Sequence, residues 1–233
     1  MTDEYSFVND NLAAIRENIA EEADKCGRNA EDIRIMAVTK TVAPEIVNRA
    51  VELGVTLLGE NRVQEFLSKQ EAYDRSAEIH FIGHLQTNKV KYIIEPMTMI
   101  QSVDSIKLAQ EINRLASAHN KTMDILCEVN IGGEESKSGI APDGLLELIE
   151  AAVSMENLRV RGLMTIPPPA SGDIFLGRME ELFHKIKDTT SAGSEMDVLS
   201  MGMTHDYADA VRHGSTLVRI GTGLFGARDY SKK

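Results

Sequence analysis

The run from Ile33 to Thr39 is almost wholly apolar, and it ends on Lys40. Lysine is among the residue types least often fully buried, and its flexible stem ordinarily carries the ammonium out to water. Partial desolvation by apolar walls lowers the proton affinity of such an amine and makes it a nucleophile toward carbonyl carbon. Far along the chain, Gly221, Gly223 and Gly226 satisfy G-x-G-x-x-G within VRIGTGLFG. A dinucleotide fingerprint would need a following helix, a further parallel strand and an acidic residue about 20 positions on, whereas the sequence runs only to Lys233. Two readings stay open for this stretch. Either the glycines only close turns, or their backbone N–H groups and the Thr222 hydroxyl cradle a phosphate, with Ser200 of LSMGMT adding donors. The remaining ionisable residues offer little competing chemistry. His80 and His84 stand four apart on a strand and its exit, without the single helical face that a zinc pair uses. The pairs Glu134–Glu135 and Glu180–Glu181 read as solvated faces, and Lys89 and Lys91 as a helix surface.

These residues need a scaffold, and composition bounds which one. The 233 residues carry a formal charge of -11, with 42% hydrophobic and 26% charged residues, which is ordinary for a globular chain. The acidic excess repels phosphate backbones and anionic lipid, so neither nucleic acid nor membrane is expected as a partner. Two cysteines, Cys26 and Cys127, suit a reducing compartment. The opening MTDEYSFVNDNLAAI is acidic early and lacks a continuous apolar stretch, so it reads as neither signal peptide nor anchor, and a cytoplasmic protein is expected. After an amphipathic helix with Leu12, Ile15 and Ile19 on one face, eight short apolar runs alternate with helix-period segments. The runs cover 33–39, 56–60, 79–84, 99–103, 123–130, 158–166, 197–202 and 216–222. Most are nearly continuous in apolar residues, as strands covered on both faces are. Pro44 and Pro142 fit first helical turns, Gly54 and Gly214 fit positions just past helix ends, and TIPPPASGD fits a loop after the sixth strand. The pattern predicts an α/β fold, a single (β/α)8 TIM barrel spanning 1–233 as one domain with an extra N-terminal helix.

In such barrels function collects where the strands end at their C-terminal side. Lys40, Glu60, Asn61, His84, Asn130, Met164, Thr165, Ser200 to Gly202 and Arg219 to Gly223 all fall there. An amine facing a phosphate cradle suits an aldehyde that bears a phosphate, and pyridoxal 5'-phosphate is such a compound.

The segments MAVTKT, GENRVQE, IHFIGHLQTNKVKYI, SVDS, SKSGI, RGLMTIP, LSMGMTHDYADAV and GSTLVRIGTGLFG run in order from about residue 33 to about residue 228. Together the chain resembles the pyridoxal phosphate homeostasis protein family, which is similar to the barrel domain of alanine racemase and of the eukaryotic-type ornithine decarboxylases. The resemblance implies that Lys40 forms a Schiff base with the cofactor and that Arg219 faces the pyridine nitrogen. It also implies that Ser200, Gly221 and Thr222 hold the phosphate, that Asn61 and His84 line the ring pocket, and that Met201 contributes its backbone and Met164 its packing. Thr204 stands where members often have serine. An arginine at the ring nitrogen stays charged and accepts no proton, which makes the cofactor a poor electron sink. A salt bridge from Arg219 to a carboxylate such as Glu60 is the competing use of that residue. The implied function is reversible binding of pyridoxal 5'-phosphate, serving its intracellular homeostasis and supply to apo-enzymes, by a monomer without robust catalysis. A weakly active amino-acid racemase is the alternative, although racemases of this fold draw a second base from a separate β-domain.

Overall fold

Every apolar run forms a strand: β1 (Arg34–Val38), β2 (Leu57–Glu60), β3 (Glu78–Phe81), β4 (Met99–Val103), β5 (Met123–Val129), β6 (Leu158–Thr165), β7 (Val198–Ser200) and β8 (Leu217–Ile220). All neighbours pair in parallel and β1 closes on β8, so the sheet is an eight-stranded barrel. The computed structural model describes residues 5–168 and 172–227. The first four residues of the N-terminal stretch, residues 169–171 of the Pro-rich segment and the tail beyond Ala227 lie outside the described residues.

The helices are α1 (Ser6–Lys25), α2 (Pro44–Glu52), α3 (Val63–Lys69), α4 (Ile106–Ala118), α5 (Leu145–Val153), α6 (Gly172–Thr189), α7 (Tyr207–Arg212) and α8 (Thr222–Phe225). Pro44 opens α2 as its first-turn residue, and Ser105 caps α4 by accepting from the Leu108 N–H. Two details differ from the sequence reading. TNKVKYII forms a 3-10 segment, Thr87–Tyr92, in place of an α-helix. Its buried side chains, Val90, Ile93 and Ile94, amount to one turn of apolar face, too little to offset helix nucleation. Conversely, α8 is a single turn inside the glycine stretch, where glycine's low helix propensity masks it.

Alternation along the strands sorts the core into two shells. Met36, Val38, Leu57, Ile82 and Leu217 pack together inside the barrel, and Met99, Leu126 and Met164 form a second interior group, joined through Val198. Alternate residues such as Ala37, Leu58, Ile125 and Val218 join the larger layer under the helices. Gly59 faces inward, where a Cβ would meet the Met36 Sδ at 2.4 Å, so the methionine fills the volume that the glycine leaves. Helix α1 buries Val8, Leu12, Ile15 and Ile19, and it and the turn after it are pinned to the elements around β8. Asn11 donates to the Leu224 carbonyl at 3.0 Å, Arg28 to the Val211 and Ser215 carbonyls at 2.5 and 2.9 Å, and Arg212 pairs with Glu22 at 2.5 Å. The leading helix thereby steadies the elements that flank β8. Among the described residues no helix is long and apolar enough to cross a membrane.

Candidate functional site

Met36 and Val38 point into the barrel, and the same alternation places Lys40, two residues on, toward its mouth. Lys40 is half-buried. The next residue, Thr41, has φ 63°, a left-handed conformation that is an outlier for a β-branched side chain. It is held there by its hydroxyl donating to the Lys40 carbonyl at 2.6 Å and by its N–H donating to Glu65 Oε1 at 2.5 Å. Glu65 is itself paired with Lys69 at 2.5 Å. Strain held in place by surrounding contacts is a recurrent property of functional sites, and here it sets the backbone that carries Lys40.

Arg219 lies inside the barrel, 3% exposed. Its Nη1 donates to Ser200 Oγ and its Nη2 to the Thr165 carbonyl, both at 2.7 Å, while its backbone N–H donates to the Gly202 carbonyl at 2.9 Å. Burial pulls its pKa down to about 10, opposed by the charges of Asp206 and Glu128, so the guanidinium keeps its proton at neutral pH. Glu128, at the end of β5, is 5% exposed, and its Oε2 has no hydrogen-bond partner among the described residues. Burial and the neighbouring charge of Asp104 push its pKa up to about 7, against the pull of Arg219.

The alternative pairing of Arg219 with Glu60 is overturned. Glu60 accepts from the Thr39 hydroxyl at 2.7 Å and from the Tyr73 hydroxyl at 2.6 Å, in the layer between sheet and helices, and burial raises its pKa. The physical reason is alternation: Glu60 follows inward-facing Gly59 and so faces outward, whereas Arg219 follows outward-facing Val218.

The other expected positions divide. The Ser200 hydroxyl is fully buried, donating to Gln101 Oε1 at 2.7 Å while accepting from Arg219. At the mouth, the Thr204 and Thr222 hydroxyls lie 3.3 Å apart, and the Gly223 N–H donates to Thr204 Oγ1 at 3.1 Å. A Cβ on Gly223 would come within 2.9 Å of the Thr204 methyl, so glycine is what admits this approach. Gly221 supplies the residue before the turn of α8. Asn61 and His84 line one cleft of about 360 Å³ together with Arg62, Gln64, Glu65 and Lys89. His84 is largely exposed, its Nδ1 3.8 Å from Asp104. Met164 packs in the barrel interior beside Met99 and Leu126. Met201 is buried on the helix side, its N–H donating to the Leu217 carbonyl and its own carbonyl accepting from Ser215 Oγ. Asn130 ties down its loop through Glu134.

Sequence reasoning did not assign Gln101, His80 or Glu128, and it named Thr204 only as a substitution. The available signal was a polar residue at an inward position of an otherwise apolar strand.

The family model described as alanine racemase, N-terminal domain, matches residues 11–229. A pyridoxal phosphate homeostasis protein of Aquifex aeolicus is 42% identical over 224 residues, covering 94% of this chain and 97% of the relative. A crystal structure of an unknown protein from Bifidobacterium adolescentis superposes with a TM-score of 0.89 at 32% identity, covering 97% of this chain and 98% of the other. PipY of Synechococcus elongatus, solved with pyridoxal phosphate bound, gives a TM-score of 0.77 at 28% identity, over 89% of this chain and all of the other.

Proposed function

We propose, because this chain belongs to the pyridoxal phosphate homeostasis protein family, that it holds pyridoxal 5'-phosphate through a Schiff base on Lys40 and serves the cellular balance and supply of that cofactor. The observation that carries this reading is Arg219: a buried, protonated guanidinium hydrogen-bonded, among the described residues, to neutral groups alone, Ser200 Oγ and the Thr165 carbonyl. Such a cation suits a ring nitrogen that accepts a hydrogen bond and gains no proton. The residues present fit the group. An amine, a buried cation and a pair of hydroxyls beside a backbone N–H match an aldehyde, a pyridine nitrogen and a phosphate. When bound, the cofactor supplies an aldehyde carbon open to reversible imine formation.

The chain's own residues divide the remaining work. Lys40 presents the amine from a strained loop. Thr204, Thr222, Gly221 and Gly223 offer the phosphate hydroxyl and backbone donors, and Asn61 and His84 border the ring. Ser200 orients Arg219 in place of touching the phosphate, Met201 shapes the mouth through its backbone, and Met164 fills the floor beneath it. Recipient apo-enzymes, a cytoplasmic setting, a monomeric state and a single functional unit over 1–233 belong to the same proposal. One observation favours weak racemase activity as a second reading. Glu128, a buried carboxyl with pKa about 7, stands on β5, four strands round the barrel from β1, beyond whose end Lys40 lies, and near-neutral carboxyls are apt proton carriers.

Mixing the protein with pyridoxal 5'-phosphate is expected to give a visible imine absorbance and a covalent mass adduct after reduction, both lost in Lys40→Ala. A colourless wild type without an adduct would refute the proposal. Incubating the loaded protein with amino acids in deuterated water separates the readings: slow or no α-proton exchange fits a carrier, and rapid exchange fits the racemase.

A further inference from the structure

Arg219 is the upper end of a hydrogen-bonded file that crosses the barrel interior. Its Nη1 donates to Ser200 Oγ at 2.7 Å, Ser200 donates to Gln101 Oε1 at 2.7 Å, and Gln101 Nε2 lies 2.9 Å from His80 Nδ1. His80 Nε2 is 3.6 Å from Glu78 Oε2, and Glu78 receives Arg34 Nη2 at 3.1 Å. The residues come from β8, β7, β4, β3 and β1, so the file runs from the mouth to the base. There His80, Glu78 and Arg34 line a cleft of about 310 Å³.

The donor inventory sets a direction for the file. A guanidinium only donates, so Ser200 accepts from Arg219 and has its single proton left for Gln101 Oε1. The Gln101 amide then turns its NH₂ toward His80, whose Nδ1 accepts, and the remaining imidazole proton sits on Nε2, facing Glu78. From Arg219 to His80 every hydrogen bond points the same way, from mouth toward base, and Arg34 donates to Glu78 from the other side. Burial lowers the pKa of His80, with Glu78 and Asp124 opposing and Arg34 assisting, so the ring is neutral where this pattern holds. Protonating His80 would set an Nδ1–H against the Gln101 NH₂. The amide would then have to flip, which takes its acceptor away from Ser200.

We propose that Gln101 and His80 are positioning residues for the cofactor, acting through Ser200 to hold Arg219 where it would meet the pyridine nitrogen. The inference rests on the assignment of Arg219 to the pyridine nitrogen. Apolar side chains in these two positions would still pack, since Met99, Leu126 and Met164 line the same interior, but would leave Ser200 without its acceptor.

Two measurements test the proposal. In the cofactor-free protein, ¹⁵N chemical shifts of the His80 ring are expected to report the Nε2–H tautomer; an Nδ1–H tautomer would overturn the file. In the loaded protein, Gln101→Met is expected to move the absorbance maximum of the bound cofactor and shift the pH midpoint of its spectrum by about one unit, a tenfold change in proton affinity. Gln101→Glu keeps an acceptor for Ser200 but offers no donor to His80, and is expected to bring the maximum only part of the way back toward wild type. A Gln101→Met protein that is folded by circular dichroism and has the wild-type spectrum and midpoint would refute the positioning role. Failure of the wild type to load would refute instead the assignment of Arg219 on which it rests, and the tautomer would still decide whether the file exists.

Discussion

At the base of the barrel, Arg159 and Arg161 meet Asp124 at 2.7 and 2.8 Å, Arg161 also pairs with Asp197, and Arg34 reaches Glu78 at 3.1 Å. At the mouth, Arg219 meets a hydroxyl and a carbonyl, and among the described residues no carboxylate hydrogen-bonds it. The base arginines are partly exposed, and each carries a carboxylate that neutralises it; the mouth arginine is buried with its charge uncompensated by direct contact. Neutralised rim pairs of this kind contribute little each and serve to close the sheet. A buried charge held by neutral donors and acceptors costs stability and persists where a ligand has use for it. The contrast matches the general division of such barrels into a stabilising face and an active face.

The comparison breaks most clearly at Arg219. Arg219→Glu would bury a second carboxyl near Glu128 and strip Ser200 and Thr165 of their donor, at an expected cost of about 3 kcal/mol in denaturant unfolding. In the fraction that loads, the absorbance of the cofactor is expected to shift as the ring nitrogen gains a proton; an unchanged spectrum would detach Arg219 from the ring. Thr204→Val removes a hydroxyl of the proposed phosphate cradle and keeps its shape. Titration should show pyridoxal 5'-phosphate binding about tenfold more weakly, while pyridoxal without the phosphate is unaffected. At the opposite end, Asp124→Asn is expected to cost about 1 kcal/mol of stability with no change in cofactor affinity, and a loss of affinity would erase the contrast between the ends.

The smallest effect is a pH dependence. The Glu78 carboxyl is held down to about 2 from an ordinary value of 4.5, first by its contact with His80 and then by Arg34, against desolvation. A depressed carboxylate stabilises the fold above pH 4.5 and loses that contribution as pH falls toward 2. His80, with its pKa lowered from 6.5, adds a loss of stability in the same direction once pH drops below 6.5. Melting temperatures followed from pH 6.5 downward should therefore decline, and Glu78→Gln should flatten the acid part of the slope by a few tenths of a kcal/mol, because the pair is half-exposed.

The strands were legible because runs such as Ile35 to Val38 and Leu57 to Leu58 are apolar on both faces, which a barrel lined inside and covered outside requires. The position of Lys40, just beyond β1, was legible because it ends such a run. Thr204 was harder to read: it sits in a loop whose path depends on Asp206 accepting from the Met203 N–H at 2.6 Å, and nothing in the local pattern announces that turn. The partners of Ser200 were not legible, because a serine at a strand end is equally placed to face a ligand or a neighbour, and it is the fold that gives its proton to Gln101.

The amino-acid order by itself determined the eight strands, the side that each residue faces and the lysine at the mouth, because polarity and period two are local properties. Only the tertiary structure decided that Gln101 reaches Ser200, 99 residues away, and that Glu60 turns its back on Arg219. Alternation states whether a side chain points inward. Closure and the stagger between strands state which inward side chains share a level, and those follow from packing the whole barrel at once.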